Sequence, residues 1–284
     1  MVKKFKCYLC LEYSDIEENT LKSYVVPDQY EEAVGITDHA YFRKWVSCGN
    51  CGLKQSLHSR SNNALDVLYE NLYRKPSAVS WRKYTNEETF ELVRNLPPES
   101  SETIERVSHI KARICNYQMM GLFPHKSNYR LLDVGGATGS FAFEFKNKDW
   151  EVFVVDPDPS GNFLEKYGIN FRCGYLNELE SNDQFDLISL IFVLEHIEDP
   201  KTILEEVSKL MCQEGLLYIE VPDEIAFEKK GLDDDIFNSC HLFLFGSIQL
   251  VTLLHKCGFE ILSLERSQTK RGHLALSCLA KLKS

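Results

Sequence analysis

No stretch of this chain runs to the roughly 18 apolar residues that a membrane-spanning helix needs. The basic opening MVKKFKCYLC is followed by neither an apolar h-region nor a small-residue cleavage site, so it does not read as a secretory signal. Surplus positive charge is missing as well. The formal net charge is −10, which argues against nucleic acid as the main partner, because that affinity comes largely from Lys and Arg neutralising phosphates. No internal repeat and no low-complexity linker occurs. Two nucleotide-site fingerprints are absent: no G-x-G-x-x-G triplet fits, and no G-K-[ST] follows a Gly-rich turn. Together these absences predict a cytoplasmic protein with no membrane span. With 284 residues, there is room for one large domain and a smaller module packed closely against it.

Cysteine, by contrast, is abundant. Ten cysteines in a chain expected in the cytosol do not suggest a disulfide framework. Four are explained by spacing. Cys7 and Cys10 form one C-x2-C pair, and Cys48 and Cys51 form another. Two such knuckles bring four sulfurs together as a closed, structural zinc site. The intervening residues have room for a hairpin, with strands near 23–26 and 41–46. With four thiolates present, His39 and His58 are expected at the surface. The remaining cysteines (Cys115, Cys173, Cys212, Cys240, Cys257, Cys278) read as small core hydrophobes.

From 61 to 125 the pattern is helical. Ala64, Leu65, Leu68 and Leu72 recur at near-3.6 spacing. A second helix over 87–96 is stopped by Pro97-Pro98. A third over 101–120 carries Ile104, Val107, Ile110, Ile114 and Met119 on or near one face and ends at Gly121. The aromatic cluster Tyr69, Tyr73, Trp81 and Tyr84 has two readings: packing onto the next domain, or a lid with Tyr73 or Tyr84 touching a substrate.

After Lys126 strands and helices alternate. Strands are expected at 129–134, 151–155, 169–172, 185–192, 215–221, 259–265 and 274–280, with helices at 140–148, 163–167, 201–211 and 246–256. The run FDLISLIF at 185–192 is almost continuously apolar, as for a strand covered on both faces. This alternation implies an α/β, doubly wound sheet with ligands at the carboxyl ends of its strands. At the first such end stands DVGGATG. Gly135 and Gly136 let the backbone approach a ligand, and Gly139 lets the next helix start against the strand. Asp133 precedes the turn, where a carboxylate accepts from an ammonium or orders amides. Asp156 ends the next strand, where an acid can take both hydroxyls of a ribose.

These residues carry a resemblance. DVGGATG resembles the first motif, D-x-G-x-G-x-G, of class I S-adenosylmethionine-dependent methyltransferases, and Asp156 matches their ribose-binding acid. FDLISLIFVLEHIEDP, EGLLYIEVPD and HLFLFGSIQLVTLLHKCGFE resemble later blocks of a subgroup whose front is a four-cysteine zinc-binding lead-in, sugar methyltransferases among them. The resemblance covers nearly the whole chain. Ala137 and Glu214 depart from it, each standing where Gly is usual. It implies a Rossmann-like, seven-stranded methyltransferase sheet over 126–284, a zinc module over 1–60 and a helical connector or lid over 61–125. It further implies that Asp133, Gly135, Gly136 and Gly139 meet the methionine end of S-adenosylmethionine. Asp156, with the adjoining Pro157, would meet the ribose. Tyr175 and Leu176 would flank the adenine, and Ile191 and Phe192 the sulfonium.

Methyl transfer to an alcohol needs orientation and a base. His196, next to Glu195, closely follows the fourth strand and reaches the mouth of the cleft. His241 lies in a loop beyond the fifth strand. Either is a candidate base, each with a bland alternative, helix capping or loop anchoring. Asp223 is a weaker candidate, and 233–235 reads as a solvated acidic loop. The expected acceptor is a small molecule, by resemblance a sugar or sugar-nucleotide hydroxyl. An RNA methyltransferase with a zinc module is the second hypothesis, which salt-sensitive RNA binding would favour. A non-catalytic cofactor fold is the third, and absence of cofactor binding would favour it.

Overall fold

The computed structural model describes residues 3–37, 41–60, 64–71, 82–136, 138–180, 183–231 and 233–283, apart from the side chains of Leu65 and Asn71. His39, Leu72, Tyr73, Trp81 and Ala137 lie outside the described residues.

The chain opens with short strands β1 (Lys4–Lys6), β2 (Tyr13–Asp15), β3 (Thr20–Tyr24), β4 (Arg43–Ser47) and β5 (Lys54–His58), interleaved with α1 (Ile16–Asn19) and α2 (Gln29–Ala33). Next come α3 (Ala64–Asn71), α4 (Asn86–Arg94) and α5 (Glu102–Met119). Then follow β6 (Tyr129–Val134), α6 (Ser140–Phe145), β7 (Trp150–Asp156), β8 (Asn170–Cys173), β9 (Phe185–Ile191), α7 (Pro200–Leu210), β10 (Met211–Pro222) and α8 (Ala226–Lys229). The last elements are β11 (Phe243–Leu244), α9 (Ser247–Lys256), β12 (Phe259–Gln268) and β13 (Leu274–Leu282).

Seven strands form one sheet in the order β12-β13-β10-β9-β6-β7-β8. β6 through β10 pair in parallel, and β13 runs antiparallel to both of its neighbours. Alternating side chains explain the layering. Leu131, Leu187, Leu216 and Tyr218 face one core with Val107, Ile110 and Ile114 of α5 and Phe141 and Phe145 of α6. Their neighbours Leu132, Ile188, Leu217 and Ile219 face the other with Leu204 and Val207 of α7 and Leu250, Leu253 and Leu254 of α9. Each such fully buried side chain contributes on the order of 1.5–3 kcal/mol from burial. The helix starts carry caps: Thr85 closes a capping box with Glu88, and Asp199 caps α7 ahead of Pro200.

The second sheet, β11-β5-β4-β3, crosses the expected boundary. Its strand β11 comes from the far end of the chain, pairing Phe243 with Gln55 and Leu244 with Lys54. β3 and β4 pair antiparallel, so the hairpin expected between the cysteine pairs is present. Residues 163–167 fall within a 3-10 segment, Pro159–Tyr167, rather than an α-helix, with Pro159 opening it and Gly168 closing it in a left-handed conformation. β10 starts at Met211, earlier than expected, through a register shift between Met211 and Leu216 that absorbs the polar stretch there.

Candidate active site

The turn after β6 is built around close approaches. A Cβ on Gly139 (φ +64°) would lie 2.2 Å from Leu164 Cδ2, and one on Gly136 would lie 2.2 Å from Asp133 Oδ2. Only glycine fits either place. The Gly135 amide donates to the Val155 carbonyl (2.8 Å), which holds the turn against β7. Asp133 is buried and its Oδ1 accepts from Ser189 Oγ at 2.7 Å. At the end of β7, buried Asp156 accepts from the Asp158 amide at 2.9 Å.

These residues line a cleft of about 910 Å³ at the carboxyl ends of β6, β7 and β9. Pro157, Tyr175, Leu176, Ile191 and Phe192 line it as well. Tyr175 is partly exposed and donates to Glu70 Oε1 at 3.0 Å, whereas Leu176 is buried. Phe192 takes a left-handed backbone (φ +54°), rare for a bulky residue and costing on the order of 1–3 kcal/mol. Its amide donates to the Glu220 carbonyl at 2.7 Å, which keeps the chain turning at the cleft.

Beyond Phe192 a single 3-10 turn, Leu194–His196, carries two titratable side chains. Glu195 is fully buried, and neither carboxylate oxygen has a hydrogen-bond partner. Burial pushes it up to about 8, and the Glu220 charge adds to the effect. His196 Nε2 lies 3.9 Å from Glu195 Oε1. Its Nδ1 is 3.0 Å from both the Cys240 carbonyl and Tyr69 Oη. His241 stacks edge-on against His196, ring centroids 4.8 Å apart, with its Nδ1 2.7 Å from the Ile236 carbonyl. Burial holds His241 down at about 4, so it is neutral at pH 7. A carbonyl only accepts, so each imidazole carries its proton on Nδ1, and each Nε2 keeps the lone pair. Glu195, His196 and His241 each offer a ligand atom within 4.8 Å of the others.

At the front, Cys7 Sγ lies 3.5 Å from Cys51 Sγ, Cys10 Sγ lies 3.5 Å from Cys48 Sγ, and all four sulfurs are within 4.8 Å of one another. Those separations exceed a disulfide bond and match the edges of a tetrahedron with metal–sulfur distances of about 2.3 Å. Burial pushes the Cys48 thiol up, but the amides of Cys51 and Asn50 outweigh it and leave it lowered to about 6.

Several expectations need correction. His58 is half-buried and held down at about 4 by burial, so it is not a surface residue. Cys115 and Cys173 are exposed, unlike the core thiols Cys240 and Cys278. Asp223 is buried in an ion pair with Arg266 (2.7 Å), which gives it a structural role. Among the described residues of the aromatic cluster, Tyr69 reaches His196, its Oη 3.0 Å from Nδ1. No sequence signal separated it from its neighbours. Tyr84 lines the cleft and is half exposed.

A Gly turn, an acid at the next strand end and a cleft over a six-parallel, one-antiparallel sheet define a class I methyltransferase architecture. Residues 92–264 match the family model described as "Methyltransferase domain", and the chain belongs to that family. Over 100 residues it is 25% identical to a ubiquinone biosynthesis O-methyltransferase of Rhodopseudomonas palustris (strain BisB5), covering 33% of this chain and 40% of that one. A namesake from Bradyrhizobium sp. (strain ORS 278) is 26% identical over the same shares. The chain thus spans less than half the length of these curated relatives. The fold is similar to that of 1,6-didemethyltoxoflavin-N1-methyltransferase from Burkholderia thailandensis, a structure with bound 1,6-didemethyltoxoflavin and S-adenosylhomocysteine. The likeness covers 87% of this chain and 97% of that one, with a TM-score of 0.54 and 16% identity.

Proposed function

We propose that the protein is an S-adenosylmethionine-dependent methyltransferase acting on a hydroxyl of a small molecule, a sugar or phosphorylated sugar by the likeness of its motifs. The observation that carries this reading is the placement of Glu195, His196 and His241 on one wall of the cleft that Asp133, the Gly turn and Asp156 open. The cleft fits the cofactor: buried Asp133 and Asp156 both line it beside the Gly turn, at the carboxyl ends of β6 and β7. S-adenosylmethionine, when bound, supplies a methyl group on a sulfonium. Asp156 and Pro157 are assigned to its ribose, Asp133, Gly135, Gly136 and Gly139 to its methionine end, Tyr175 and Leu176 to its adenine, and Ile191 and Phe192 to the sulfonium side. His196 Nε2 would take the proton of the acceptor hydroxyl as that oxygen receives the methyl group. Glu195, 3.9 Å away, then faces the imidazolium. His241, held neutral, orients the acceptor.

Arg82, Lys83 and His273 line the same cleft, as do Lys270 and Arg271, which pair with Glu105 and Glu102; this cationic set, in a chain of net charge −10, supports an acceptor bearing phosphate. We assign zinc to Cys7, Cys10, Cys48 and Cys51 as a closed structural site. We also divide the chain into a zinc module (1–60), a connector (61–125) and a methyltransferase domain (126–284). The six cysteines outside the zinc set, none of them in a disulfide, support a cytoplasmic setting. The test is methyl uptake from the cofactor across a panel of nucleotide sugars, phosphosugars and phenols. A sugar phosphate should be turned over, and His196→Ala should lose at least a hundredfold in turnover while S-adenosylhomocysteine still binds within about threefold. No calorimetric heat with S-adenosylhomocysteine would overturn the reading.

A further inference from the structure

We propose that the front of the chain clamps the segment 235–241, and that Asp28, Arg43 and Arg60 are positioning residues that fix the orientation of both cleft histidines. The inference rests on the reading that His196 and His241 handle the acceptor and its proton. The two carbonyls that receive Nδ1 of these rings, Cys240 O and Ile236 O, belong to this one segment. The segment's own bonds are local: Asn238 Oδ1 accepts from the amides of Cys240 (2.8 Å) and His241 (3.2 Å). From outside, Tyr69 Oη reaches the Cys240 carbonyl at 3.5 Å and Phe227 packs on Phe237, but the charged contacts come from the front module. Asp28 accepts from the Ser239 amide at 2.6 Å and from Ser239 Oγ at 2.7 Å. Arg43 donates to the Phe237 carbonyl at 2.7 Å, and Arg60 to the Ser239 carbonyl at 2.7 Å. Tyr24 Oη (3.3 Å) and Trp45 Nε1 (3.5 Å) reach the same Phe237 carbonyl.

Behind these contacts sits Glu31, fully buried. Its carboxylate meets Arg60 NH1 at 3.0 Å, Arg43 Nε at 4.0 Å and Tyr41 Oη at 2.5 Å. Both guanidiniums are almost wholly buried. A buried ion network of this kind is poorly explained by stability, since apolar side chains of similar volume often do as well. Its worth is direction. The Arg60 fork, anchored on Glu31, and the Arg43 fork, held by Tyr41 Oη at 3.1 Å and Asp28 Oδ2 at 3.4 Å, each present a further N–H at a fixed angle to a backbone carbonyl. Asp28 does the same from its position as N-cap of α2, where its Oδ1 also accepts from the amides of Tyr30 and Glu31. Two residues of the segment, Phe237 and Ser239, thus receive charge-anchored bonds on both sides of the carbonyl-bearing turn. If that turn rotates, both Nδ1 partners are lost together, and with them the tautomer that leaves each Nε2 bare.

Asp28→Asn and Arg43→Lys test the clamp in the full-length, zinc-loaded protein. Asn is as good an N-cap as Asp, so α2 is preserved, but its amide donor must face a donor of Ser239. Lys keeps the charge of Arg43 and loses the fork. Ser239→Ala is the milder companion, since it removes one bond and leaves every charge paired. Nitrogen-15 spectra of the imidazoles should show His196 and His241 of the wild type protonated at Nδ1. In each variant that pattern should give way to mixed tautomers. Turnover should fall tenfold or more with S-adenosylhomocysteine affinity within twofold. Folded variants with wild-type imidazole spectra would overturn the proposal, as would a loss of turnover that tracks lost cofactor affinity. The spectra are read without substrate, so an inactive wild type would indict the assigned reaction and leave the clamp judged on its own.

Discussion

Glu195 is a fully buried carboxyl group with His196 Nε2 3.9 Å from Oε1. Burial outweighs its own backbone amide and, with the Glu220 charge, keeps the group protonated up to about pH 8. Below that pH, His196 faces a neutral acid; above it, a carboxylate that stabilises an imidazolium. Methyl transfer to an alcohol should therefore speed up as pH rises through about 8, and Glu195→Gln should flatten that rise at a lower rate. A pH–rate series on both proteins checks it. The same burial sets a stability slope. Between the ordinary value of 4.5 and about 8 the folded chain binds a proton that the unfolded chain releases. This contribution is complete below 4.5 and is lost as pH rises through 8, on the order of 4 kcal/mol in all. His241 works the other way. Its value is lowered from 6.5 to about 4, so its contribution is complete above 6.5 and drains away as pH falls toward 4. Glu195→Gln should gain thermal stability relative to wild type between pH 6.5 and 9, and a melting-temperature difference independent of pH would refute the assignment.

At the scale of elements, the Gly turn joins β6 to α6 through contacts that allow no side chain. Gly136→Ala would push a methyl group into Asp133 Oδ2, 2.2 Å from the ideal Cβ, and so displace the carboxylate from Ser189. We expect S-adenosylhomocysteine affinity to fall at least tenfold by calorimetry with the far-ultraviolet spectrum unchanged; affinity within twofold would show that the turn does not hold the cofactor. This element was legible in the sequence because the apolar run, the glycines after it and Asp156 all lie between Tyr129 and Asp156, so local chemistry specifies the local shape. The strands of the large sheet were legible for the same reason: both-face burial leaves long apolar runs such as FDLISLIF. What escaped depends on distant parts meeting. Nothing near Phe243 announces that it pairs with Gln55. Nothing near Tyr69 says that its hydroxyl reaches His196, and no local pattern marks Glu31, Arg43 and Arg60 as one buried network. Asp223 reads as a weak candidate base in the sequence because Arg266, which pairs with it, comes 43 positions later.

At the scale of the whole molecule, the front module and the methyltransferase sheet share one core. Cys7, Leu9, Tyr30, Cys48 and Leu53 are buried in the same apolar cluster as Leu217, Ile219, Leu250 and Leu254. Trp45 packs with Ala226, Ile236, Phe237 and Leu244. The Gln249 side chain donates to the Cys51 carbonyl at 2.6 Å, and Lys256 to the Leu9 carbonyl at 2.7 Å, so both cysteine knuckles are stitched to α9. A module that owned its own core would melt by itself and leave the larger domain standing. A module that completes its neighbour's core cannot, because its loss exposes apolar surface on the far side of the shared cluster and breaks the β5–β11 pairing. We therefore expect calorimetric unfolding of the metal-loaded chain to be a single transition. A strong chelator should shift that one peak downward by about 5 °C or more, since each kcal/mol lost from a chain of this size moves the midpoint by roughly 2–4 °C. Two resolved peaks, with chelation moving only the lower one, would show that the knuckles fold independently of the cleft they flank.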